Sequence, residues 1–353
     1  MALSISKRML ILVIVPVLAL ASMAGWVLLD RWSTADQMRR VAMGGRAIHS
    51  IAELVTSLQT ERGRSALFLG SKGAAYGQDV AAQSKETDAK LRAVQSLEKT
   101  ALAEFDAETN RLMQDAAAGL KKLDGLRTSV SSQTIGTIES NKDYSEKIEL
   151  LLDVSLAIVR EADHAEIKNY ALALSFLQEA GERAGLERAI GAAGIAAGRF
   201  TSEQLYRLAN TIAEQREFVK LYAAFAPPTS RQSYEQLLKR AEIGEADRLR
   251  QMLLSLKPDE AVSGMDGGQW FKAAGARVNG FEKLQEALLR HVIEQSEGVH
   301  RTAITQVIAT AAIVAAIIAL VLGLGVLTMR SIVRPVRGMT DAMGRLASGD
   351  LAC

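Results

Sequence analysis

The sequence predicts an all-α protein, in which two apolar helices flank a domain of about eight helices arranged as two four-helix bundles. Three observations lead to this fold class. Residues 9–29 and residues 302–329 contain no charged side chain. Residues 30–301 contain only three prolines, and they lack the alternation of β-branched or aromatic residues with polar ones that is typical of strands.

The first apolar run, residues 9–29, is long enough to cross a membrane. At about 1.5 Å per residue, its helix matches a hydrocarbon core of roughly 30 Å. A cleavable signal peptide is the alternative, because Lys7 and Arg8 precede the run and residues 19–21 (Ala-Leu-Ala) resemble a cleavage site. The run continues through Leu29, which favours an uncleaved transmembrane anchor.

The charges that flank the two runs predict their orientation. Two basic residues precede the first run, and four arginines follow the second. Because positively charged flanks remain in the cytoplasm, we expect residues 1–8 and 330–353 to be cytoplasmic. Residues 9–29 and 302–329 are then transmembrane helices, and residues 30–301 form a periplasmic domain. The sequence therefore predicts a two-span protein of the bacterial inner membrane.

The helices of the middle domain are separated by glycine, proline and polar segments. Thr201 with Gln204 has the pattern of a capping box, and Pro227-Pro228 before Thr229 marks the end of one helix and the start of another. The expected breaks lie at residues 70–77, 104–107, 131–136, 161–166, 198–201, 226–229 and 257–268.

Composition excludes several classes of function. The net charge is +2 and the chain has one cysteine, Cys353, so a nucleic-acid binder that depends on bulk positive charge and a disulfide scaffold are both excluded, and no nucleic-acid partner is expected. The four histidines are scattered, and no HExxH or CxxCH string occurs. We therefore expect no enzyme, no catalytic residue, no metal site and no cofactor.

Two arginines fall at positions where a helix bundle requires apolar side chains. Arg62 lies in a row spaced by seven residues with Val55 and Leu69, and Arg188 lies in a similar row with Ile195. Both arginines are therefore predicted to be buried.

A buried guanidinium keeps its charge and requires an anion beside it. A carboxylate is one candidate, because Glu61 and Glu187 precede the two arginines and a neighbouring helix could supply another. A small planar anion is the second candidate. Five glycines between residues 181 and 198 leave room between helices, and two arginine forks suit a planar anion.

Four short motifs resemble those of the nitrate- and nitrite-sensing (NIT) domain family. They are residues 58–66 (LQTERGRSA), residues 185–189 (GLERA), residues 198–200 (GRF) and residues 270–274 (WFKAA) followed by Arg277. The resemblance extends over roughly residues 37–301. It implies an all-helical periplasmic sensor that binds nitrate or nitrite through Arg62 and Arg188, with Arg64 and Arg183 as weaker neighbours. The chain departs from the family pattern at Gly181-Glu182, where a Lys-Glu pair is expected.

The segment after the second apolar run is similar to the first helix and connector of a HAMP domain. Residues 331–336 read SIVRPV, and residues 347–351 read ASGDL. The combined resemblances imply a homodimeric receptor, similar to methyl-accepting chemotaxis proteins, with a partial HAMP domain at residues 330–353. Such a receptor would act on cytoplasmic signalling proteins through an output module beyond residue 353. The alternative is a structural or protein-interaction module whose arginines are ion-paired and which binds no small ligand.

Overall fold

The computed structural model describes residues 5–101, 104–161 and 165–347, and it confirms the all-α class. The structure is 88% helical, and the described residues form no strand. An isolated antiparallel bridge pairs Arg199 with Ala261. His164, Cys353 and the predicted Gly-Asp-Leu connector at residues 349–351 lie outside the described residues.

Eleven α-helices and one π-helical turn make up the described chain. In chain order they are α1 (Ile5–Gly70), α2 (Gly77–Ala101), α3 (Ala107–Leu120), α4 (Leu123–Ser131), α5 (Thr137–Arg160), α6 (Ala165–Ala196), α7 (Ser202–Phe225), α8 (Pro228–Leu238), α9 (Ala241–Leu254), α10 (Gly267–Thr328), the π-helical turn (Met329–Val333) and α11 (Arg334–Ala347).

Each of the seven predicted breaks separates two of these helices, and two further breaks were not expected. The additional breaks lie at Lys121–Lys122, between α3 and α4, and at Lys239–Arg240, between α8 and α9. Neither contains glycine or proline, so helix propensity does not indicate them. The chain turns at Arg240, whose ψ of 141° is extended.

The predicted helix start at Thr201 is confirmed in atomic detail. The Thr201 hydroxyl accepts a hydrogen bond from the backbone N–H of Gln204 at 3.2 Å, and the Gln204 side chain accepts one from the backbone N–H of Thr201 at 2.9 Å. This reciprocal capping box satisfies two N–H groups that the first turn of α7 would leave unpaired. Pro228 occupies the first turn of α8, where its missing N–H costs nothing.

The chain divides into two compact units by its internal contacts. The larger unit, Arg40–Ser296, contains the cores: one cluster around Leu58, Tyr144 and Leu177, and a second around Phe200 and Trp270. Helix α6 packs against both α5 and α7, and α3 packs against α5. The central position of α6 places the residues of its sequence motif inside the larger unit.

The smaller unit comprises residues 1–39 and 297–353. It contains the apolar parts of α1 and α10, which are long and apolar enough to cross a membrane by length and composition. Large apolar side chains on these segments, among them Leu18, Met23 and Leu320, are exposed. Within this unit a ring nitrogen of His300 lies 2.7 Å from the backbone oxygen of Ala35.

Candidate functional site

Arg62 is buried on α1, as the heptad spacing predicts, and its charge is compensated within the protein. Its Nη1 contacts Oε1 of Glu182 on α6, and its Nη2 donates to Oε2 at 3.2 Å. Nη1 also donates to the Ser145 hydroxyl at 2.6 Å, and Gln59 donates to Glu182 at 2.9 Å. Both side chains of the Arg62–Glu182 pair are fully inaccessible to solvent. The carboxylate that neutralises Arg62 therefore comes from a neighbouring helix.

Glu61, which precedes Arg62 in the sequence, forms an ion pair with a different arginine. Its Oε1 and Oε2 accept hydrogen bonds from Arg127 of α4 at 2.7 and 3.1 Å. Its Oε1 also accepts hydrogen bonds from Tyr144 at 3.0 Å and Ser84 at 3.1 Å. Adjacent residues of a helix point about 100° apart, so Glu61 and Arg62 face different neighbours.

Arg188 is also buried, with 4% of its surface exposed, but it has no carboxylate partner among the described residues. Its Nε and Nη2 are inaccessible and make no hydrogen bond. The guanidinium carbon lies 4.4 Å from the centre of the Phe271 ring of α10, in a cation–π contact. The indole N–H of Trp270 donates to the Arg188 carbonyl at 2.9 Å and holds the backbone in place.

Glu187 does not compensate Arg188 either. Its carboxylate accepts hydrogen bonds from Arg250 of α9, one of them from Nε at 2.7 Å, and both side chains of this pair are buried. Gln215 donates to the same carboxylate at 3.4 Å. Glu61 and Glu187, which precede the two predicted arginines, thus form ion pairs with Arg127 and Arg250.

The surroundings of Arg188 disfavour its positive charge. Burial, together with the positive charges of Arg62 and Arg64, lowers the pKa of the Arg188 guanidinium to about 9. Glu182 and Glu282 favour its charged form from a distance. Burial, with Glu286 nearby, in turn raises the pKa of Glu282, so this half-buried carboxyl holds its negative charge less strongly than a free one. Arg188 is therefore a desolvated cation with unused hydrogen-bond donors.

Glycines allow close packing around both arginines. A Cβ at Gly185 would lie 3.1 Å from Nη2 of Arg62, and a Cβ at Gly275 would lie 3.6 Å from Nη1 of Arg188. The first distance is too short for an unstrained contact, whereas the second is an ordinary van der Waals contact. The fit is therefore tighter at Arg62 than at Arg188.

The other two predicted site residues are engaged elsewhere. Arg64 is half-buried and donates to the backbone oxygen of Asp79 at 3.0 Å. Arg183 lies 2.7 Å from Glu214 and packs over the Phe218 ring at 5.5 Å. Neither arginine presents its guanidinium to the Arg62–Glu182 pair in these contacts, and all four arginines remain predicted ligands.

Sequence reasoning missed Glu182 and Ser145 as partners of Arg62 and Phe271 as the partner of Arg188. Phe271 lies in the motif at residues 270–274, so the motif could have identified it as a partner of Arg188. In the sequence, Glu182 is notable only because glycine precedes it. The spacing of residues within α6 does not show that Glu182 pairs with Arg62. In the described part of the chain, no group of three or more His, Cys, Asp or Glu residues could hold a metal ion.

The fold and these buried charges define an all-α domain with arginine–carboxylate pairs in its core. The chain belongs to the nitrate and nitrite sensing (NIT) family, whose model matches residues 53–293. The family that the four motifs indicate is thereby confirmed.

Two known proteins are similar to the chain. It is 28% identical over 277 residues to the nitrate regulatory protein of Klebsiella oxytoca, an alignment that covers 77% of this chain and 68% of that protein. It superposes on the structure of the NasR transcription antiterminator with a TM-score of 0.71 and 22% identity, covering 90% of this chain and 86% of the other. The second similarity supports the fold.

These relatives contradict the predicted class of receptor. One is a nitrate regulatory protein and the other a transcription antiterminator, so the prediction of a homodimeric chemotaxis receptor of the inner membrane, with membrane and cytoplasmic signalling partners, is corrected. The prediction rested on length and apolarity, and these alone do not establish a membrane span, because a signal sequence near the N-terminus satisfies the same test. The partial HAMP domain is not confirmed, because the family match ends at residue 293. The expectation of no nucleic-acid partner also conflicts with these relatives, one of which is a transcription antiterminator.

Proposed function

We propose that this chain is the sensory part of a nitrate- or nitrite-responsive regulator, and that the anion binds at Arg188. The observation that carries the proposal is the state of Arg188, a buried guanidinium without a carboxylate partner and with unused donors at Nε and Nη2. A buried unpaired charge is costly. An anionic ligand removes that cost when it binds.

The geometry of the free donors suits a planar anion. Nε and Nη2 of a guanidinium lie along one edge and point in parallel, so two oxygens of one nitrate or nitrite can accept both hydrogen bonds. Such charge-assisted bonds gain strength where water is excluded. The Nε of Arg62 is a third buried donor without a partner, although the rest of that fork is held by Glu182 and Ser145.

The surroundings of Arg188 favour a small ligand. Phe271 covers one face of the guanidinium, and Gly275 leaves the space beside Nη1 free of a side chain. Trp270 fixes the backbone of Arg188 through its carbonyl. The arginine is therefore held in place before the ligand arrives, which lowers the entropic cost of binding.

Names of relatives support the regulatory role. The similar Klebsiella protein is a nitrate regulatory protein, and this chain matches 68% of its length. Because the structurally similar protein is a transcription antiterminator, we propose that the process under control is gene expression. The alternative of a purely structural helical module is favoured by the compensated state of Arg62, but it leaves the cost of burying Arg188 unexplained.

Calorimetric titration of the full chain with nitrate and nitrite tests the proposal. We expect saturable binding to the parent protein and loss of that binding in Arg188→Met, which keeps a long side chain and removes the charge. Arg207→Met is the matched control, because Arg207 is an exposed arginine paired with Glu203 at 2.9 Å. Binding that persists unchanged in Arg188→Met would show that the anion binds elsewhere.

A further inference from the structure

We infer that Glu182 sets the charge selectivity of the anion site: by neutralising Arg62, it leaves the guanidinium of Arg188 as the unpaired charge of that site, so that the site accepts monovalent anions and rejects divalent ones such as sulfate. This inference rests on the proposed function and deepens it. It assigns to Glu182 the role of a specificity-determining residue that acts without contacting Arg188.

Most of the arginines buried in the larger unit are paired with carboxylates. Among the residues that the structure describes, three arginines form ion pairs with carboxylates whose side chains are at most 4% exposed, and they are Arg62 with Glu182, Arg127 with Glu61, and Arg250 with Glu187. Arg277 is paired with the half-exposed Asp247 at 2.6 Å. Arg188 is the buried arginine of the described residues that has no carboxylate partner.

Glu182 is fully used by its partners. One of its oxygens accepts from Nη1 of Arg62, and the other accepts from Nη2 of Arg62 and from Gln59. Its carboxylate is fully buried, so solvent does not screen it. It acts on Arg188 through space and does not form a contact ion pair with it.

One added negative charge neutralises the charges around Arg188. Three positive and two negative groups act on the site, and they are Arg62, Arg64, Arg188, Glu182 and Glu282. Their charges sum to +1, so a monovalent anion brings the total to zero. A divalent anion leaves one negative charge uncompensated, in a site covered by Phe271 and subject to repulsion from Glu182 in a medium of low dielectric constant. The repulsion therefore discriminates by charge, and not by size alone.

Position 181 adds no further positive charge. The residue immediately before Glu182 is glycine. A Cβ at Gly181 would lie 2.9 Å from Nε2 of Gln285, whose amide donates to the Leu177 carbonyl at 3.1 Å. A side chain at position 181 would displace the amide of Gln285 from the Leu177 carbonyl, and the glycine present adds no cation beside Glu182.

Titration calorimetry of the full chain with nitrate and with sulfate tests the inference, because sulfate stabilises folded proteins non-specifically and would distort a thermal assay. The parent protein should bind nitrate at least about 100-fold more tightly than sulfate. In Glu182→Gln, which frees one positive charge while keeping the shape, the preference should fall by about tenfold or more through tighter sulfate binding.

Two controls separate charge from packing. Glu187→Gln also removes a buried carboxylate from an arginine pair on the same helix, but it acts on Arg250, so the preference for nitrate over sulfate should remain. The double variant Arg62→Gln with Glu182→Gln removes the pair and keeps the net charge, so it should still reject sulfate. An unchanged preference in Glu182→Gln, or the same loss of preference in Glu187→Gln, would overturn the inference.

The test stays decisive if Glu182→Gln is unstable. Anions that bind the folded state stabilise it by mass action. Sulfate at millimolar concentration should therefore restore the helical circular dichroism of Glu182→Gln more than that of Glu187→Gln, which controls for the non-specific stabilisation by sulfate. Failure of sulfate to do so would also count against the inference. Failure of the parent protein to bind nitrate would instead refute the proposed function itself.

Discussion

Arg62 and Arg188 occupy equivalent positions in the heptad rows of two helices, yet their surroundings differ in charge. Arg62 is held by Glu182 and Ser145, and little of its fork is free. Arg188 rests on the face of Phe271, and two of its donor nitrogens have no partner. The charge of Arg62 is compensated by the protein, whereas Arg188 keeps two unused donors.

The difference shows that burial of an arginine does not by itself indicate a binding site. A buried pair such as Arg62–Glu182 is internally neutral, and its main effect appears when one partner is lost. A buried arginine without a partner destabilises the folded protein, and an added anion relieves this cost. The following predictions test this contrast.

The largest effect is expected from breaking the compensated pair. Arg62→Met leaves Glu182 charged and buried with Gln59 but without a cation beside it, and it should lower the free energy of unfolding by about 3–5 kcal/mol. Urea denaturation followed by circular dichroism measures the loss. Adding Glu182→Leu to Arg62→Met should recover most of it, whereas an equal loss in the double variant would mean that packing, and not charge, dominates at this position.

A smaller effect is expected from alanine at the glycines beside the two arginines. Gly185→Ala places a Cβ 3.1 Å from both Nη2 of Arg62 and the Gln59 side chain, and it should destabilise the fold by about 1–2 kcal/mol. Gly275→Ala makes only an ordinary contact with Arg188, and it should stabilise the fold by about 0.5–1 kcal/mol through helix propensity. Effects of the same sign in the two variants would contradict the difference in fit.

The smallest effect is expected from pH. Because the pKa of Arg188 is lowered to about 9, the guanidinium is charged at neutral pH and loses charge as pH rises through that value. Nitrate affinity should stay constant between pH 6 and 8 and fall as the pH rises above 8. Calorimetry measures the affinity, and circular dichroism at each pH checks the fold. An affinity that rises with pH in this range would refute the role of a cationic Arg188.

The sequence predicts much of the fold because helix ends are encoded locally. Glycine, proline and capping residues marked seven breaks, including the capping box at Thr201. The breaks at Lys121–Lys122 and Lys239–Arg240 were missed because they contain only residues that helices tolerate. The two apolar runs show only that their segments are long and apolar. They do not show which process the protein regulates.

The heptad rows predict correctly that Arg62 and Arg188 are buried. They could not show which one is compensated, because the partner of Arg62 lies 120 positions along the chain. The acidic residues adjacent in sequence, Glu61 and Glu187, point to other arginines. Pairing of this kind depends on how α1, α4, α6 and α9 pack, and that information is not contained in the spacing within any one helix.

The most direct test of the account is the free energy of unfolding of the parent protein and of Arg188→Met, each measured with and without nitrate. Without nitrate, Arg188→Met should be more stable than the parent by about 1–3 kcal/mol, because it removes an uncompensated buried charge. Nitrate at about 100 times its dissociation constant should stabilise the parent by roughly 2.7 kcal/mol and leave the variant unchanged. A variant that is less stable than the parent and still gains stability from nitrate would contradict the account.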